Sequence, residues 1–224
     1  LYRSSFKTMK EWGLSSVRLN YSPYTHSEEN VARLKSYIDI CAELGLYAIV
    51  DWHIVESDDH TNKGNPSDYA DEAKDFFETI SAYVKEKGYN HVIYDICNEP
   101  SGVNWKEIKG YAEEILPIIE TNDPGAIVII GTRDWCQKII EPVVNPINAN
   151  DYNLGIMYSF HYYACSHYSL LGDLRASVKS IPVFVSNWTS GRFDLDTDFA
   201  CDLNSDDMLA ILDAGTTNGQ IVSW

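Results

Sequence analysis

Seven short apolar segments rich in β-branched residues recur along the chain, at residues 16–20, 47–52, 91–97, 127–132, 155–162, 182–188 and 220–224. None shows the strict alternation of a sheet with one wet face. Runs such as Tyr47-Ala-Ile-Val-Asp-Trp52 and Ile127-Val-Ile-Ile130 are the pattern of parallel strands covered on both sides. Parallel neighbours cannot be joined by a tight turn and need a crossover of a dozen or more residues, usually a helix. The intervening segments supply it. Residues 28–44 carry Val31, Leu34, Ile38 and Cys41 at helical spacing and stop before Gly45, and residues 67–87 stop before Gly88. Asn104 opens a third helix with Trp105, Ile108, Tyr111, Ala112 and Ile115 on one face. Residues 170–179 and 206–214 are shorter helical patterns, and residues 6–12 read as the end of a helix that feeds Gly13 and the first strand.

This β-α rhythm runs without a break in composition, so residues 1–224 are expected to form one α/β domain. Two architectures fit: an open doubly wound sheet and a (β/α)8 TIM barrel. A dinucleotide-binding sheet calls for a glycine-rich turn after its first strand, whereas Asn20 is followed by Tyr-Ser-Pro-Tyr. Polar residues instead close one strand after another: Arg18, His53, Asn98-Glu99, Trp135, His161 with Tyr163, Asn187 and Trp224. Barrel enzymes gather such residues at one mouth.

Charge narrows the partners. Seventeen Lys and Arg against 33 Asp and Glu leave a net charge of −16, which repels phosphate backbones and argues against nucleic acid. No apolar run reaches the roughly 18 residues of a membrane helix; the longest, 126–131, is strand length. Fifteen Tyr and 6 Trp keep a sugar ligand open, because aromatic faces suit the apolar faces of sugar rings. The five cysteines show no CxxC, so buried free thiols are expected, with room for one disulfide. No HExxH or close carboxylate-histidine spacing suggests a metal. The acidic stretch 194–207 reads as a solvated loop rather than a calcium site, and Asp58, Asp59 and His60 are given no role. Leu1 is not followed by a charged segment and an apolar core, so no signal peptide is expected in this stretch; the chain reads as processed or as part of something longer.

Among the strand-end residues, Glu99 is the candidate general acid, since a carboxyl withdrawn from water can hold a proton near neutral pH. Asn98 can donate to a sugar hydroxyl, Arg18 can hold an anion, and His53 and His161 can bond substrate or carboxylates. The segments Ile49-Val-Asp-Trp-His-Ile54, Val92-Ile-Tyr-Asp-Ile-Cys-Asn-Glu-Pro100, Met157-Tyr-Ser-Phe-His-Tyr-Tyr163 and Pro182-Val-Phe-Val-Ser-Asn-Trp188 resemble, in this order, glycoside hydrolase family 5, in its bacterial-type endo-β-1,4-glucanase (cellulase) branch. The resemblance covers nearly the whole chain. It implies a TIM barrel, a β-1,4-glucan ligand, a retaining mechanism, an extracellular setting and no cofactor. Glu99 matches the acid/base and Asn98 the contact to the sugar 2-hydroxyl. Arg18 and Tyr163 match groups that orient the nucleophile, and His53 and His161 match contacts to substrate and carboxylates. Trp224 matches the tryptophan beneath the sugar at the cleavage point and Trp135 a stacking platform on the leaving-group side. Tyr21 or Tyr24 is assigned to a further subsite, and Tyr162 to packing.

Two departures stand out. Where the family has a glutamate nucleophile, this chain has Asn187, and an amide is a far poorer nucleophile than a carboxylate. Arg18, without its usual partner, is then expected either to pair with Glu99 or to serve as a salt bridge that supports the barrel. The family's first strand and last helix also lack counterparts, which makes seven of eight strands. Either a second polypeptide segment or an oligomer completes the barrel, or the outer strands close on each other. The residues are thus compatible with a hydrolase impaired at its nucleophile or with a β-glucan-binding protein that has lost turnover. A barrel enzyme acting on phosphorylated metabolites would need a glycine-rich phosphate loop late in the chain, and none is seen.

Overall fold

The computed structural model describes residues 2–57, 61–191 and 201–223. Seven parallel strands follow one another in sheet order as they do in sequence: β1 (Ser16–Tyr21), β2 (Tyr47–Trp52), β3 (Val92–Asp95), β4 (Ile127–Ile130), β5 (Gly155–Tyr163), β6 (Val183–Thr189) and β7 (Val222–Ser223). The sheet curls into an incomplete (β/α)8 barrel, as expected. Among the described residues the outer strands do not close on each other: β1 is paired with β2, and β7 with β6 through two residues.

Helices α1 (Tyr2–Glu11), α2 (Glu28–Leu44), α3 (Ala70–Lys87), α4 (Trp105–Asn122), two single turns α5 (Arg133–Cys136) and α6 (Glu141–Val144), then α7 (Leu171–Ser177) and α8 (Asp202–Thr217) make the crossovers. Their ends are chemically marked. Ser27 accepts the Asn30 N–H at the start of α2, and Asn104 and Glu107 form a reciprocal capping box on α4. Gly45 and Gly88, both at φ 65°, end α2 and α3 in the left-handed conformation that glycine adopts without strain. Helix α3 starts three residues later than the apolar spacing suggests, because Pro66 opens a separate 3-10 turn over Pro66–Tyr69.

The two faces of the sheet differ. Odd and even residues part company along each strand, so Val50, Tyr94, Val128 and Tyr158 join the main core beneath the helices. Ile49, Ile93, Ile129, Met157 and Phe184 form a second, smaller apolar layer on the inner face. Two residues further along, the inner positions turn polar: Asp51, Asp95 and Ser159 are fully buried there. The apolar layer is a floor and the polar layer above it leads to the strand ends.

Strand β3 ends at Asp95, two residues before the expected limit, but the chain stays docked. Asn98 N–H donates to Trp52 O and Glu99 N–H to Ile54 O, so the extension of β2 carries the Asn98-Glu99 turn. Gly131 packs beneath that turn. A Cβ there would lie 2.2 Å from the Cys97 carbonyl oxygen and 2.8 Å from Pro100 Cδ. Three thiols, Cys41, Cys97 and Cys136, are free and buried, and the one disulfide for which the sequence left room joins Cys165 to Cys201, linking the end of β5 to the start of α8. Sequence spacing carried no signal for that pair, since 36 residues separate them.

Gly131→Ala is therefore expected to cost about 1–3 kcal/mol, as overpacking against backbone does. Urea unfolding of the variant beside the parent would measure it, and an unchanged midpoint would show that the turn yields freely.

Candidate functional site

Two carboxylate-bearing strand positions and one arginine build the floor of the site. Arg18, on β1, sits opposite Ile49 in the ladder and reaches across the inner face. Its guanidinium contacts Asp95 Oδ2 at 2.6 Å through Nη2 and 3.1 Å through Nε, Asp51 Oδ2 at 3.2 Å, and Asn98 Oδ1 at 2.8 Å. Burial works against the cation, but the two carboxylates outweigh it and its pKa is raised overall. Burial likewise pushes Asp95 up to about 7 although Arg18 opposes the shift, and the charge on Asp51 adds to it. One guanidinium cannot neutralise two buried carboxylates, so the cluster tends to keep a proton. Among the described residues, Oδ1 of Asp51 and Oδ1 of Asp95 have no hydrogen-bond partner.

Above this floor stand the residues that face a ligand. Asn98 is fixed from both ends, accepting from Arg18 and donating Nδ2 to Ile54 O at 3.1 Å; its second amide hydrogen is the one it can offer a sugar. Next to it, Glu99 keeps 15% of its side chain exposed and places Oε1 2.8 Å from Nδ1 of the fully buried His161. His53 is more open, with Nδ1 2.7 Å from Asp51 Oδ2, which fixes the ring and leaves Nε2 pointing away from the carboxylate. Burial lowers the pKa of His161, against the pull of Glu99, so the ring is held neutral.

Asn187 reaches the site through an irregularity. Phe160 pairs with Val185 but His161 pairs with Asn187, so Ser186 is an extra residue in β6. Such a bulge re-aims the following side chain. It sets Asn187 beside His161, where its Nδ2 donates to the Tyr163 hydroxyl at 3.1 Å. The Tyr163 phenol is raised to about 12 by burial and by the charge on Glu99.

Trp135 is held by an unusual stretch of backbone. Asp134, Trp135 and Cys136 have φ of 54°, 56° and 62°, three successive non-glycine residues in the left-handed region, which carries strain. Bonds around it fix the stretch: Trp135 N–H donates to Pro100 O, the Cys136 thiol donates to Asn98 O, and Arg133 pairs with Glu141. The indole is left 44% exposed beside the Asn98-Glu99 turn.

The structure thus brings Glu99, Asn98, His161, Tyr163, Asn187, His53 and Trp135 to one rim. It corrects the assignment of Tyr21 to a subsite. Tyr21 is a core residue, packed against Trp52 and Phe76, with its hydroxyl 2.8 Å from His26 Nδ1. Tyr24 is committed to the loop after β2, where its hydroxyl bonds Val55 and Lys63. Of the two roles expected for Arg18, its described bonds show the salt bridge that supports the barrel, through Asp51 and Asp95, and no pairing with Glu99. Tyr162 packs, donating its hydroxyl to Asn204 O. Trp224, Asp58, Asp59, His60 and the first half of the acidic stretch, 194–200, lie outside the described residues, while 202–207 open α8 instead of forming the expected loop. Asp51, Asp95 and Ser186 were missed by sequence reasoning, although a lone Asp inside each of two apolar strands was a visible signal.

Comparison with known proteins gives the family. Residues 2–217 match the description Cellulase (glycosyl hydrolase family 5). The chain belongs to that family. Within it, the chain is similar to Endoglucanase E-5 of Thermobifida fusca, 40% identical over 164 residues that make 70% of this chain and 33% of the relative. It is also similar to Endoglucanase A of Evansella cellulosilytica, 37% identical over 80% of this chain and 36% of the relative. The chain thus spans about a third of the length of these curated relatives. The solved catalytic domain of Thermobifida fusca endoglucanase Cel5A superposes with a TM-score of 0.87 at 32% identity, over 100% of this chain and 72% of that one. A Glu→Gln variant of that domain in complex with cellotetraose gives 0.82 at 32% identity, over 95% of this chain and 68% of that one.

The Asp95 shift has a defined sign. Its pKa rises from 3.8 to about 7 on folding, so the fold favours the protonated form. That contribution to stability is present below 3.8 and is lost as the pH rises through about 7. Asp95→Asn is expected to flatten the fall in melting temperature across this window relative to the parent. Parallel slopes in calorimetric scans would place the proton elsewhere.

Proposed function

We propose that this chain carries the glucan-binding cleft of an endo-β-1,4-glucanase-type glycoside hydrolase, folded as one catalytic-type domain over residues 1–224. The observation that carries this reading is the Glu99 carboxyl fixed by His161 at the mouth of the barrel, with Asn98 on one side and Asn187 opposite His161 in the ladder. In this reading Glu99 protonates the departing glycosidic oxygen. Asn98 bonds the sugar 2-hydroxyl, His53 bonds substrate, and Trp135 stacks on the leaving-group side, with Trp224 assigned to the sugar at the cleavage point. The family membership supports a cellulose-type substrate. The cellotetraose held by the Thermobifida fusca variant supports a β-glucan ligand for a domain with an amide in place of one glutamate.

Turnover is the finer question. A retaining mechanism needs a second carboxylate about 5–5.5 Å from the acid to form the glycosyl-enzyme. At that position the proposal places Asn187, whose neutral amide neither attacks the anomeric carbon well nor balances a developing oxocarbenium charge. The second reading, a β-glucan-binding protein with little or no turnover, is favoured by one observation: the Asn187 amide is seated, donating to Tyr163. A phenol can donate as well as accept, so the same seat would serve a carboxylate.

The setting is extracellular in this proposal, supported by the Cys165–Cys201 disulfide, since such bonds persist in oxidising compartments. A further strand, from another segment or another copy of the chain, completes the barrel along the free edge of β1. A groove of about 410 Å³, lined by Phe6, Met9, Val17, Leu34 and Tyr37, supports that part.

Asn187→Glu is expected to raise hydrolysis of a soluble cellulose derivative by at least roughly 10²-fold, the scale on which nucleophiles contribute. Reducing-sugar release would show it, and a revertant as silent as the parent would place the defect elsewhere. In the parent, azide or formate with an activated aryl cellobioside is expected to restore turnover with inverted product, because Asn is one methylene shorter than Glu. No response to any small anion, in protein that binds the substrate, would contradict this account of position 187.

A further inference from the structure

The extra residue of β6 is placed to do more than turn the strand. Ser186 Oγ lies 3.0 Å from Nε2 of His161 and 2.6 Å from Oγ of Ser159, a buried serine on β5. The other ring nitrogen, Nδ1, is the one that faces Glu99. Both nitrogens of a fully buried imidazole are therefore engaged, and which of them carries the hydrogen decides what Glu99 can do.

A neutral imidazole has one donor and one acceptor. With the hydrogen on Nδ1, the ring donates to Glu99 Oε1, and the Ser186 hydroxyl donates to Nε2. The catalytic proton of the carboxyl then resides on Oε2, clear of the ring. With the hydrogen on Nε2, Nδ1 becomes an acceptor. Glu99 must then direct its own proton at the ring through Oε1, away from any glycosidic oxygen. The first arrangement is the one that also holds an ionised Glu99, because a carboxylate only accepts and takes its hydrogen from Nδ1, after which Nε2 is an acceptor that faces the Ser186 hydroxyl.

We propose that Ser186 is a positioning residue that fixes His161 as the Nδ1–H tautomer, so that the imidazole holds Glu99 Oε1 as an acceptor and leaves Oε2 to carry the proton delivered to the substrate. This rests on Glu99 acting as the acid/base. It assigns a function to the bulge, which brings both Ser186 and Asn187 to His161 where regular alternation would bring only one. The charged and titratable groups that act on the ring are Glu99, Arg18, Asp51 and His167, and burial outweighs them in keeping it neutral.

The test is nitrogen-15 NMR of the histidine side chains at neutral pH, with the His161 signals assigned by their loss in His161→Gln. The parent is expected to show a protonated Nδ1 and an acceptor Nε2. Ser186→Ala and Ser186→Val are expected to give a mixture of tautomers, and Ser186→Thr, which matches Val in shape and restores the hydroxyl, to return the parent pattern. An Nε2–H ring in the parent overturns the proposal, as does an unchanged tautomer in both hydroxyl-free variants. In the Asn187→Glu background, Ser186→Val is expected to lower kcat by roughly tenfold or more with KM unchanged, since general acid catalysis contributes on that scale or above. A silent Asn187→Glu protein with the Nδ1–H tautomer intact counts against the hydrolase reading and leaves the tautomer assignment standing.

Discussion

The contacts of Arg18 organise everything above the apolar floor of the barrel. The guanidinium bridges β1 to β2 through Asp51 and to the end of β3 through Asp95, and the nitrogen that meets Asp95 also meets Asn98. Removing one member would strand a buried charge, a loss of about 3–5 kcal/mol, whereas apolar replacements of the whole set could be neutral or better. Stability alone does not explain such a cluster. Its geometric product is the fixed position of Asn98, and through the peptide chain that of Glu99.

From that base the site is assembled by small deviations from regular structure. The Asn98-Glu99 turn leaves β3 early but stays bonded to the extension of β2. Three left-handed residues raise Trp135 beside it, secured by the Pro100 carbonyl and the Cys136 thiol. A bulge in β6 delivers Asn187 and Ser186 to the same imidazole. Each deviation occurs at the C-terminal end of a strand, where backbone strain coincides with the cleft and the regular sheet below absorbs it.

Much of this was legible in the residues. Apolar strands with helical crossovers and chemistry at successive strand ends defined a barrel, and apolar spacing with Gly45 as the stop placed helix α2 to the residue. Glu99, His161, Tyr163 and Asn187 meet as their positions suggested. What was not legible depended on three-dimensional packing. The resemblance assigned Tyr21 or Tyr24 to a further subsite, but the Tyr21 ring completes a cluster with Trp52 and Phe76 that only the fold creates. Arg18 found its partners on neighbouring strands, 33 and 77 residues away in sequence, where Asp51 and Asp95 looked like isolated interruptions of apolar runs. The role of Ser186 follows from a register shift, which period-two reasoning does not reveal.

The central claim is that this open barrel presents a working β-glucan cleft independent of its nucleophile. Titration calorimetry of the parent chain with cellotetraose tests it most directly, with Trp135→Ala as the paired control. Saturable binding is expected, weakened roughly tenfold in the variant, about 1.4 kcal/mol, through the lost aromatic platform. Absence of binding at millimolar cellotetraose, in protein that melts cooperatively, would contradict the account.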